Sequence, residues 1–330
     1  MTKDVGELVD ILLKKTDSVY VPTGTVKWRL PTGVPSLDRI LGGGIPSGSI
    51  TQIIGPSQSG KTSLAYRITG EAVKRGYSTL LVPIESYSEA FARTCGIDID
   101  AKNYHPLTGD FAEIIFNTCI EAIREYGAEV IVMDSIAAAI PRADLEKKQK
   151  IEDGDPSFNV GTRARAISAF IHQLLIPLKR HSAMFITVNR LTASINRFGG
   201  GLTASGGETM KYDNGITINM WGKPDRDTGV IESNVVITKG KEDDVKEFKA
   251  TTLYFSHGVG VDVYRDITDT GVDLRIIKKA GAWFSYGDKK FQGASGFAEA
   301  LKADKELYDE IVASINSTTD APIEEKEEEE

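Results

Sequence analysis

Cysteine and histidine are scarce in this sequence. Its 330 residues include two cysteines, Cys95 and Cys119, and four histidines scattered along the chain. Both cysteines fall in segments that we predict to be helical, which favours buried, reduced thiols over a disulfide or a metal site. The histidines lack the spacing of zinc ligands, so ordinary structural roles are expected for them. Nothing in these residues therefore points to a disulfide framework or a zinc site.

Long hydrophobic runs are also missing. No apolar stretch approaches the roughly 18 residues that suggest a membrane helix, and residues 1–4 lack the charged-then-apolar pattern of a secretion signal. With 41% hydrophobic and 26% charged residues, the composition is ordinary for a globular protein with a sizeable core. We expect a cytoplasmic protein that has no membrane partner.

The chain has no excess of basic residues either, since 39 Lys and Arg face 47 Asp and Glu, a net charge of −8. Residues 320–330 carry much of this charge, with seven acidic residues and one lysine, a net −6. Such a run is usually a solvated, disordered tail. The alternative is a tail that competes with an anionic ligand for basic loops. Because the rest of the chain is nearly neutral, the net charge does not exclude a nucleic-acid partner.

One stretch carries a strong chemical signal. It follows an apolar run predicted to be a buried strand, and it has the form G-x-x-x-x-G-K-[ST]: Gly55, Pro56, Ser57, Gln58, Ser59, Gly60, Lys61 and Thr62, with Ser63 next. The glycines let backbone N–H groups turn around an anion, Lys61 supplies a cation for the β- and γ-phosphates, and the Thr62 hydroxyl ligates Mg²⁺. A helix from Lys61 to Lys74, ended by Gly76, adds its positive N-terminal dipole. The stretch therefore predicts binding of ATP with Mg²⁺.

The rhythm around this stretch is strand, loop, helix. Four apolar strands are predicted at residues 49–54, 79–84, 130–133 and 183–188, each followed by polar residues. In an open parallel sheet the ligand lies beyond the carboxyl ends of the strands. The expected α/β fold therefore gathers five side chains around one nucleotide: Lys61, Thr62, Glu85, Asp134 and Asn189.

Asp134, Glu85 and Phe91 have more specific expected roles. Asp134 follows an apolar strand, as does the acid that holds Mg²⁺ in nucleotide-binding proteins. Glu85 is placed to orient and deprotonate a water near the γ-phosphate, which would make the protein a hydrolase; the alternative is a surface glutamate. Phe91 either stacks on the base or belongs to the core.

Two long segments resist assignment to the core. Residues 143–161 are charged and rich in turn formers, and residues 192–208 hold two glycine clusters, 199–201 and 206–207. Long loops of this kind are usually functional or disordered. Arg163, Arg165 and Arg197 would supply phosphate contacts if these loops close on a long ligand, and would be solvated charges otherwise.

The outer parts of the chain differ from this middle. Residues 1–30 predict an amphipathic helix and a connecting arm that docks on its own subunit or on the next one. Residues 31–265 form the expected nucleotide-binding core and end in predicted β-strands. We assign residues 266–316 to a small C-terminal domain that ends in a helical segment, 296–315, and residues 317–330 to the disordered acidic tail.

Several stretches resemble the RecA-type recombinases. Residues 32–38 (Thr-Gly-Val-Pro-Ser-Leu-Asp) with 42–46 resemble the family's approach to the phosphate loop, and residues 132–138 resemble its second nucleotide motif. Residues 279–286 (Lys-Ala-Gly-Ala-Trp-Phe-Ser-Tyr) resemble the hallmark of its C-terminal domain, which related P-loop ATPases lack. The resemblance covers about residues 30–316, and it implies a RecA-like P-loop ATPase core with a mostly parallel sheet, an N-terminal helix and arm, and a small C-terminal α/β domain.

The resemblance also implies an activity: ATP-dependent assembly of a helical filament on single-stranded DNA, homology search, and strand exchange with double-stranded DNA. Glu85 matches the family's water-activating glutamate and Phe91 falls near its adenine-stacking aromatic. Lys239 and Lys241 match lysines that reach the ATP of the neighbouring subunit. The two long segments match the family's DNA-binding loops, and four positions match its DNA contacts: Arg165 and Ser168 after the first loop, and Gly206 and Gly207 in the second. Single-strand-binding and loader proteins are candidate partners.

The match has departures. Arg190 stands where the bacterial family has a glutamine that senses the γ-phosphate, and Tyr212 replaces a phenylalanine. The first loop is also poorly matched. These differences suggest a divergent member of the family, for instance one encoded by a phage. Two other functions use the same core: a DNA motor or helicase, which residues 280–286 argue against, and a nucleotide-binding regulator whose ATP turnover would be indifferent to DNA.

Overall fold

The computed structural model describes residues 14, 26–148, 160–193, 202–204, 207–241, 244–256 and 258–318. Most of the predicted N-terminal helix and arm, most of the segment 143–161 and nearly all of the acidic tail therefore lie outside the described residues. Among the residues that are described, no helix is both long and apolar enough to cross a membrane. The cytoplasmic location stays a prediction.

Helices and strands alternate through the first two thirds of the described chain. The strands are β1 (Arg29–Leu30), β2 (Ile45–Pro46), β3 (Ile50–Gly55), β4 (Thr79–Pro83), β5 (Tyr104–Pro106), β6 (Val130–Asp134), β7 (Met184–Ala193), β8 (Leu202–Ala204), β9 (Ile216–Pro224), β10 (Ile231–Gly240), β11 (Ala250–Ser256), β12 (Gly260–Val261), β13 (Lys278–Ala280), β14 (Trp283–Tyr286) and β15 (Lys289–Gln292). The α-helices are α1 (Pro35–Ile40), α2 (Lys61–Lys74), α3 (Glu89–Thr94), α4 (Ala112–Tyr126), α5 (Arg142–Lys148), α6 (Val160–His181), α7 (Gly207–Asp213), α8 (Val263–Asp273), α9 (Gly293–Ala303) and α10 (Lys305–Ser317). A short 3-10 helix spans Ile136–Ala138.

Ten of the strands form one sheet. Its main path is β12-β11-β10-β9-β3-β7-β6-β4-β5, and β8 pairs with β7 beside that path. The six strands from β9 to β5 are parallel, and the strands from β9 to β12 continue the sheet in antiparallel fashion. The register places Gly55 beside Arg190 and Pro83 beside Asp134. The carboxyl ends of β3, β4, β6 and the middle of β7 therefore meet at one edge, as the sequence predicts.

Both faces of this sheet are buried, which explains why its strands are continuous apolar runs. All five residues of β6 are buried, and the first four side chains alternate between two hydrophobic cores. Val132 packs in one core with α2 residues such as Leu64, whereas Ile131 and Met133 pack in the other with residues of α4 and α6 such as Phe170. The sheet is a rigid, doubly covered platform for the loops at its edge.

Two predicted elements have different bounds in the structure. The strand predicted to end at residue 188 extends to Ala193, because Leu191–Ala193 pair with β8 and gain hydrogen-bond partners beyond the main sheet. The predicted helical segment 296–315 is two helices, because Asp304 lies between them and caps α10 by accepting a hydrogen bond from the Leu307 N–H. The helix after the phosphate loop is confirmed at Lys61–Lys74.

The C-terminal part has a hydrophobic core of its own, built from α8, α9, α10 and the β13-β14-β15 sheet. The predicted division between residues 265 and 266 falls within α8, and this core includes Val263. Ser36 of α1 joins the two parts, because its backbone N–H and its hydroxyl both donate to the Asp266 carboxylate. Both cysteines are free and buried, as predicted, and burial raises the pKa of each thiol to about 12.

Candidate active site

The phosphate loop connects β3 to α2 at the functional edge of the sheet. Gly60 adopts the left-handed conformation, with φ +90°. A Cβ atom at this position would lie 2.6 Å from a ring carbon of Phe255. Since the first N–H groups of an α-helix have no partner within it, the loop and the start of α2 present donors to an anion. This backbone geometry fits a phosphate cradle, and it depends on glycine.

Lys61 is the cation of this cradle and is buried. Its ammonium group donates to the Pro56 carbonyl at 2.5 Å, and it lies 3.4 Å from the Ser59 hydroxyl. Burial lowers the pKa of Lys61, and the neighbouring Asp134 carboxylate opposes that shift. A buried ammonium that is held by neutral loop oxygens and lies near the carboxylates of Asp134 and Glu85 is well placed to bind a polyphosphate.

Thr62 and Asp134 come together from different elements, α2 and β6, and the Thr62 hydroxyl hydrogen bonds to the Asp134 carboxylate. Burial raises the pKa of Asp134 to about 6, although this hydrogen bond opposes the shift. A hydroxyl and a carboxylate are oxygen ligands of the kind that Mg²⁺ takes beside nucleotide phosphates. The donor set therefore fits a magnesium site.

Glu85 lies just beyond β4, and both of its carboxylate oxygens have partners. The Ser135 hydroxyl donates to Oε1 at 2.5 Å, and the Arg190 Nη2 group donates to Oε2 at 2.5 Å. Burial raises the pKa of Glu85, but the hydrogen bonds from Ser135 and Arg190 outweigh it and hold the pKa below its ordinary value. Sequence reasoning missed both partners, although Ser135 directly follows the predicted Asp134.

A cavity of about 720 Å³ opens beside the phosphate loop, and residues 58–63 line one side of it. Phe91 of α3 lines the cavity too, and its ring lies 5.5 Å from the Tyr66 ring, so it is available to a base while packing on the core. Asn189 is buried in β7, where its side-chain oxygen accepts from the Arg190 backbone N–H at 2.9 Å.

The far wall of the cavity was not predicted. It consists of residues from the β9–β10 turn, the start of β10 and the end of β11: Pro224, Gly229, Ile231, Ser256 and Gly258. The turn itself has a sequence signal, because the Asp225 carboxylate accepts from the Thr228 N–H at 2.8 Å and residues 225–229 are typical turn formers. No local pattern shows that this turn faces a nucleotide, since the pairing of β9 with β3 brings it there.

The predicted DNA-binding residues that the structure describes lie on or beside α6. Arg163 donates to the Ala137 carbonyl at 3.1 Å, and the exposed Arg165 donates to the Gly161 carbonyl at 3.0 Å. The Ser168 hydroxyl lies 2.7 Å from that of Thr209 on α7. Helix α6 follows the first predicted DNA-binding loop and α7 follows the second, so this contact joins the two regions.

The second loop is only partly described. Arg197 and Gly206 lie outside the described residues, whereas Gly207 is the first residue of α7. The stem of this loop is visible, because β7 pairs with β8 directly after Arg190. The β7–β8 stem therefore leads from the nucleotide edge of the sheet into the second loop.

Lys239 and Lys241 lie far from the phosphate loop of their own chain. Their ammonium groups donate to the Tyr212 carbonyl at 2.9 and 3.0 Å, and Lys239 also donates to the Asn214 side chain at 2.8 Å. Burial lowers the pKa of Lys239, and so does the neighbouring ammonium of Lys241. The carbonyl end of α7 is thus bound to both lysines.

Comparisons with known proteins agree with this site. A model of the RecA N-terminal domain matches residues 21–262, and a model of the RecA C-terminal domain matches residues 265–320. Protein RecA of Chlorobium chlorochromatii is 34% identical over 292 residues, which cover 86% of this chain and 79% of that protein. Protein RecA of Chlorobaculum parvum is 33% identical over 303 residues, covering 89% and 85%. Protein RecA of Roseiflexus sp. is 32% identical over 297 residues, covering 87% and 81%.

The chain belongs to the RecA family. RecA proteins are recombinases of DNA recombination and repair, so the expected activity class is confirmed, as is the α/β fold with a mostly parallel sheet and a small C-terminal part. Family membership also makes the chain a DNA-dependent P-loop ATPase that uses ATP with Mg²⁺, binds DNA and associates with copies of itself. The roles of individual residues, and any loader or single-strand-binding partner, are proposals.

Proposed function

We propose that this RecA-family chain assembles into helical filaments on single-stranded DNA, in which each ATP is hydrolysed between two subunits, and that these filaments pair and exchange strands with homologous duplex DNA. The observation that carries the proposal is the distance along β10 between the nucleotide cavity and the lysine pair. Ile231, at the start of this strand, lines the nucleotide cavity. Lys239 lies at the other end, roughly 26 Å away for a strand that rises about 3.3 Å per residue.

The register supports the same conclusion. Lys239 pairs with Thr217, which pairs with Gln52 near the amino end of β3, whereas the phosphate loop follows the carboxyl end of β3. Lys239 and Lys241 therefore reach a γ-phosphate only in trans, at the cavity of the next subunit. Cations supplied in this way stabilise the charge of the transition state, as arginine fingers do in other phosphoryl-transfer systems.

Within one subunit the residues divide the work. The backbone N–H groups of the phosphate loop and the Lys61 ammonium bind the phosphates, and Phe91 offers its ring to the base. Thr62 and Asp134 would hold Mg²⁺, which neutralises phosphate charge when bound. Buried Asn189 holds the strand backbone at Arg190 through its side-chain oxygen.

Glu85 is the proposed general base. Glu85 takes one proton from water as the water oxygen bonds to the γ-phosphorus, and the bond from that phosphorus to the bridging oxygen breaks, so that ADP leaves with the electron pair. Ser135 fixes Oε1 of Glu85, which leaves Oε2 as the atom that accepts the proton.

The DNA-binding residues are proposed to act on the phosphate backbone. Arg163, Arg165 and Ser168 lie on α6, while Arg197, Gly206 and Gly207 belong to the second loop or its end. Cationic side chains and glycine N–H groups suit sequence-independent contacts, because phosphates carry no sequence information. The Ser168–Thr209 contact couples the two regions, so one strand of DNA would engage both.

Self-assembly is proposed to use the free edge of the sheet. In the described part of the chain β5 is the last strand at this edge, and the side chains of Leu107 and Ile114 nearby are exposed. An exposed edge strand is a template for a strand from another chain. The arm in residues 16–30, with its strand signal at 19–21, is the segment that we assign to this role.

The test measures ATP hydrolysis with and without single-stranded DNA, with electron microscopy of the same samples. We expect DNA to accelerate turnover by more than tenfold, in step with the appearance of helical filaments. Hydrolysis at the same rate with and without DNA, in samples without filaments, would favour a nucleotide-binding regulator instead. Directional unwinding of duplex DNA would favour a motor.

A further inference from the structure

The ion pair between Arg190 and Glu85 has no role in the function proposed above. Arg190 lies on β7 next to Gly55 of the phosphate loop, and its guanidinium reaches Oε2 of Glu85. This oxygen is the one that a general base would use, because Oε1 accepts from Ser135. In this arrangement a guanidinium covers the proton-accepting atom of the proposed base.

The position of Arg190 suits a second partner. Its side chain is 61% exposed, whereas that of Glu85 is 32% exposed, so the guanidinium lies on the solvent side of the pair. Its charge acts on both Lys61 and Asp134, which would hold the phosphates and the metal. A guanidinium near these groups would be attracted to a γ-phosphate bound there. Its planar set of N–H donors matches the spacing of phosphate oxygens.

We infer that Arg190 is a latch that holds Glu85 in the resting subunit and moves to the γ-phosphate when ATP is bound, which frees Oε2 to accept the proton of the attacking water. This inference rests on the proposed role of Glu85. Arg190 is a positioning residue in the resting state and a phosphate ligand in the active state. ADP, which has no γ-phosphate, leaves the latch closed.

The chemistry of the side chain explains the consequence. A neutral amide at position 190 would form no ion pair with Glu85, and its hydrogen bond to a phosphate would be weaker than that of a guanidinium. A guanidinium pairs with the carboxylate until a more highly charged anion, the γ-phosphate, competes for it. Glu85 is therefore free to accept a proton only when the cavity holds a nucleoside triphosphate.

The test is a double-mutant cycle that measures binding rather than turnover. The variants are Arg190→Gln, Glu85→Gln and the double variant, each titrated with a non-hydrolysable ATP analogue and with ADP in the presence of Mg²⁺. Arg124→Gln, an exposed arginine on α4, is the matched control, and thermal unfolding checks that each variant folds.

Glu85→Gln is expected to raise affinity for the ATP analogue about three- to fivefold. In the parent, binding has to break the Arg190–Glu85 ion pair, which is partly exposed and worth up to about 1 kcal/mol, and the variant has no such pair. Its affinity for ADP should not change. Arg190→Gln is expected to weaken binding of the ATP analogue about tenfold relative to ADP. In the Arg190→Gln background, Glu85→Gln should have no further effect.

Two results would overturn the latch: an Arg190→Gln variant that discriminates ATP from ADP as the parent does, or the same gain from Glu85→Gln in both backgrounds. A parent protein that binds no ATP analogue would overturn the proposed function itself. Lys61→Ala separates these cases, because it should lose both nucleotides whether or not the latch exists.

Discussion

At the scale of single residues, two glycines with nearly the same positive φ angle have different surroundings. Gly60 has φ +90° and Gly76 has φ +87°. A Cβ atom at Gly60 would lie 2.6 Å from the Phe255 ring, whereas one at Gly76 would meet nothing within 4 Å. The pair therefore separates the cost of the left-handed backbone from the cost of crowding in the cradle.

Gly76→Ala should lower the free energy of unfolding by about 1 kcal/mol, the cost of placing a Cβ in the left-handed region. Gly60→Ala should lose a further 1–3 kcal/mol or so, because the ring of Phe255 has to move. It should also weaken ATP binding, which Gly76→Ala should leave intact. Urea denaturation without nucleotide and calorimetric titration with ATP measure the two effects. Equal losses of stability in both variants would contradict this account.

The residue scale also shows what the sequence could predict. The G-x-x-x-x-G-K-[ST] spacing predicts the cradle, because the motif is contiguous and its glycines are required by the local backbone conformation. The partners of Glu85 were missed because Ser135 follows β6 and Arg190 lies in β7, and only the parallel pairing of β4, β6 and β7 brings them together. Local sequence identifies groups with chemistry, while register decides which of them touch.

At the scale of elements, two buried carboxylates, Asp38 and Asp266, lie where α1 meets the C-terminal part. Asp38 of α1 accepts from the Thr32 N–H at 2.6 Å and from the Thr32 hydroxyl at 2.7 Å. Burial raises the pKa of Asp38 to about 7 and that of Asp266 on α8 to about 6. The negative charge of Asp266 contributes to the shift at Asp38. Their ionisation therefore bears on the contact between α1 and α8.

The sign of the pH dependence follows from where the proton is held. The unfolded chain releases the Asp38 proton near pH 4, whereas the folded chain keeps it up to about pH 7. Between these values the folded state binds more protons, so the free energy of unfolding falls as pH rises, by at most about 1.4 kcal/mol per pH unit. The stability from this group is present below pH 4 and is lost by about pH 7.

Asp38→Asn should remove this part of the slope, because the amide oxygen still accepts from Thr32 and does not ionise. We expect the variant to gain stability relative to the parent as pH rises from 4 to 7. Urea denaturation across that range measures the difference, and Asp110→Asn, at an exposed position, is the control for the change in charge. A difference between variant and parent that stays constant with pH would show that Asp38 ionises normally.

The two elements whose bounds differ from the prediction differ for separate reasons. The strand β7 is longer because β8 pairs with its end, and the helical segment is split because the Asp304 carboxylate caps a new helix. The first reason is a long-range pairing that periodicity does not encode. The second is a local signal that the prediction did not use. Phe297 and Leu301 are four residues apart, as are Leu307 and Ile311, but six residues separate the two pairs, which is not a helical spacing.

At the scale of the whole molecule, charge is concentrated at the end of the chain, in residues outside those that the structure describes. Removing residues 319–330 should strengthen binding to single-stranded DNA at low salt, because a segment of net charge −6 competes with phosphates for basic loops. Helix α10 and the bond from Arg39 to the Thr318 carbonyl remain in this truncation.

The gain should shrink as salt rises, because counterions screen both the tail and the DNA. Fluorescence anisotropy of a labelled oligonucleotide at several salt concentrations measures it. A full-length variant in which the seven acids are replaced by their amides separates charge from length. If both variants bind DNA at low salt as the parent does, the tail is simply a solvated segment.

The central claim is that catalysis needs two subunits, since the two lysines lie at the far end of β10 from their own cavity. A Lys239→Ala/Lys241→Ala protein keeps its cradle, and a Lys61→Ala protein keeps its lysines. Alone, the first should lose DNA-stimulated turnover by about 10³-fold or more, the scale of a cation supplied in trans. The second should lose it because its own cradle no longer binds ATP. The control is a triple variant with all three changes, which has neither a cradle nor lysines to offer.

The most direct measurement is ATP turnover on single-stranded DNA in a mixture of these two proteins. Where a Lys61→Ala subunit offers its lysines to the cradle of the other variant, one complete site forms, so the account predicts partial recovery of turnover. The triple variant mixed with the Lys61→Ala protein should recover nothing. Turnover in the first mixture that is no faster than in the separate proteins, with co-assembly confirmed by electron microscopy, would contradict the shared site.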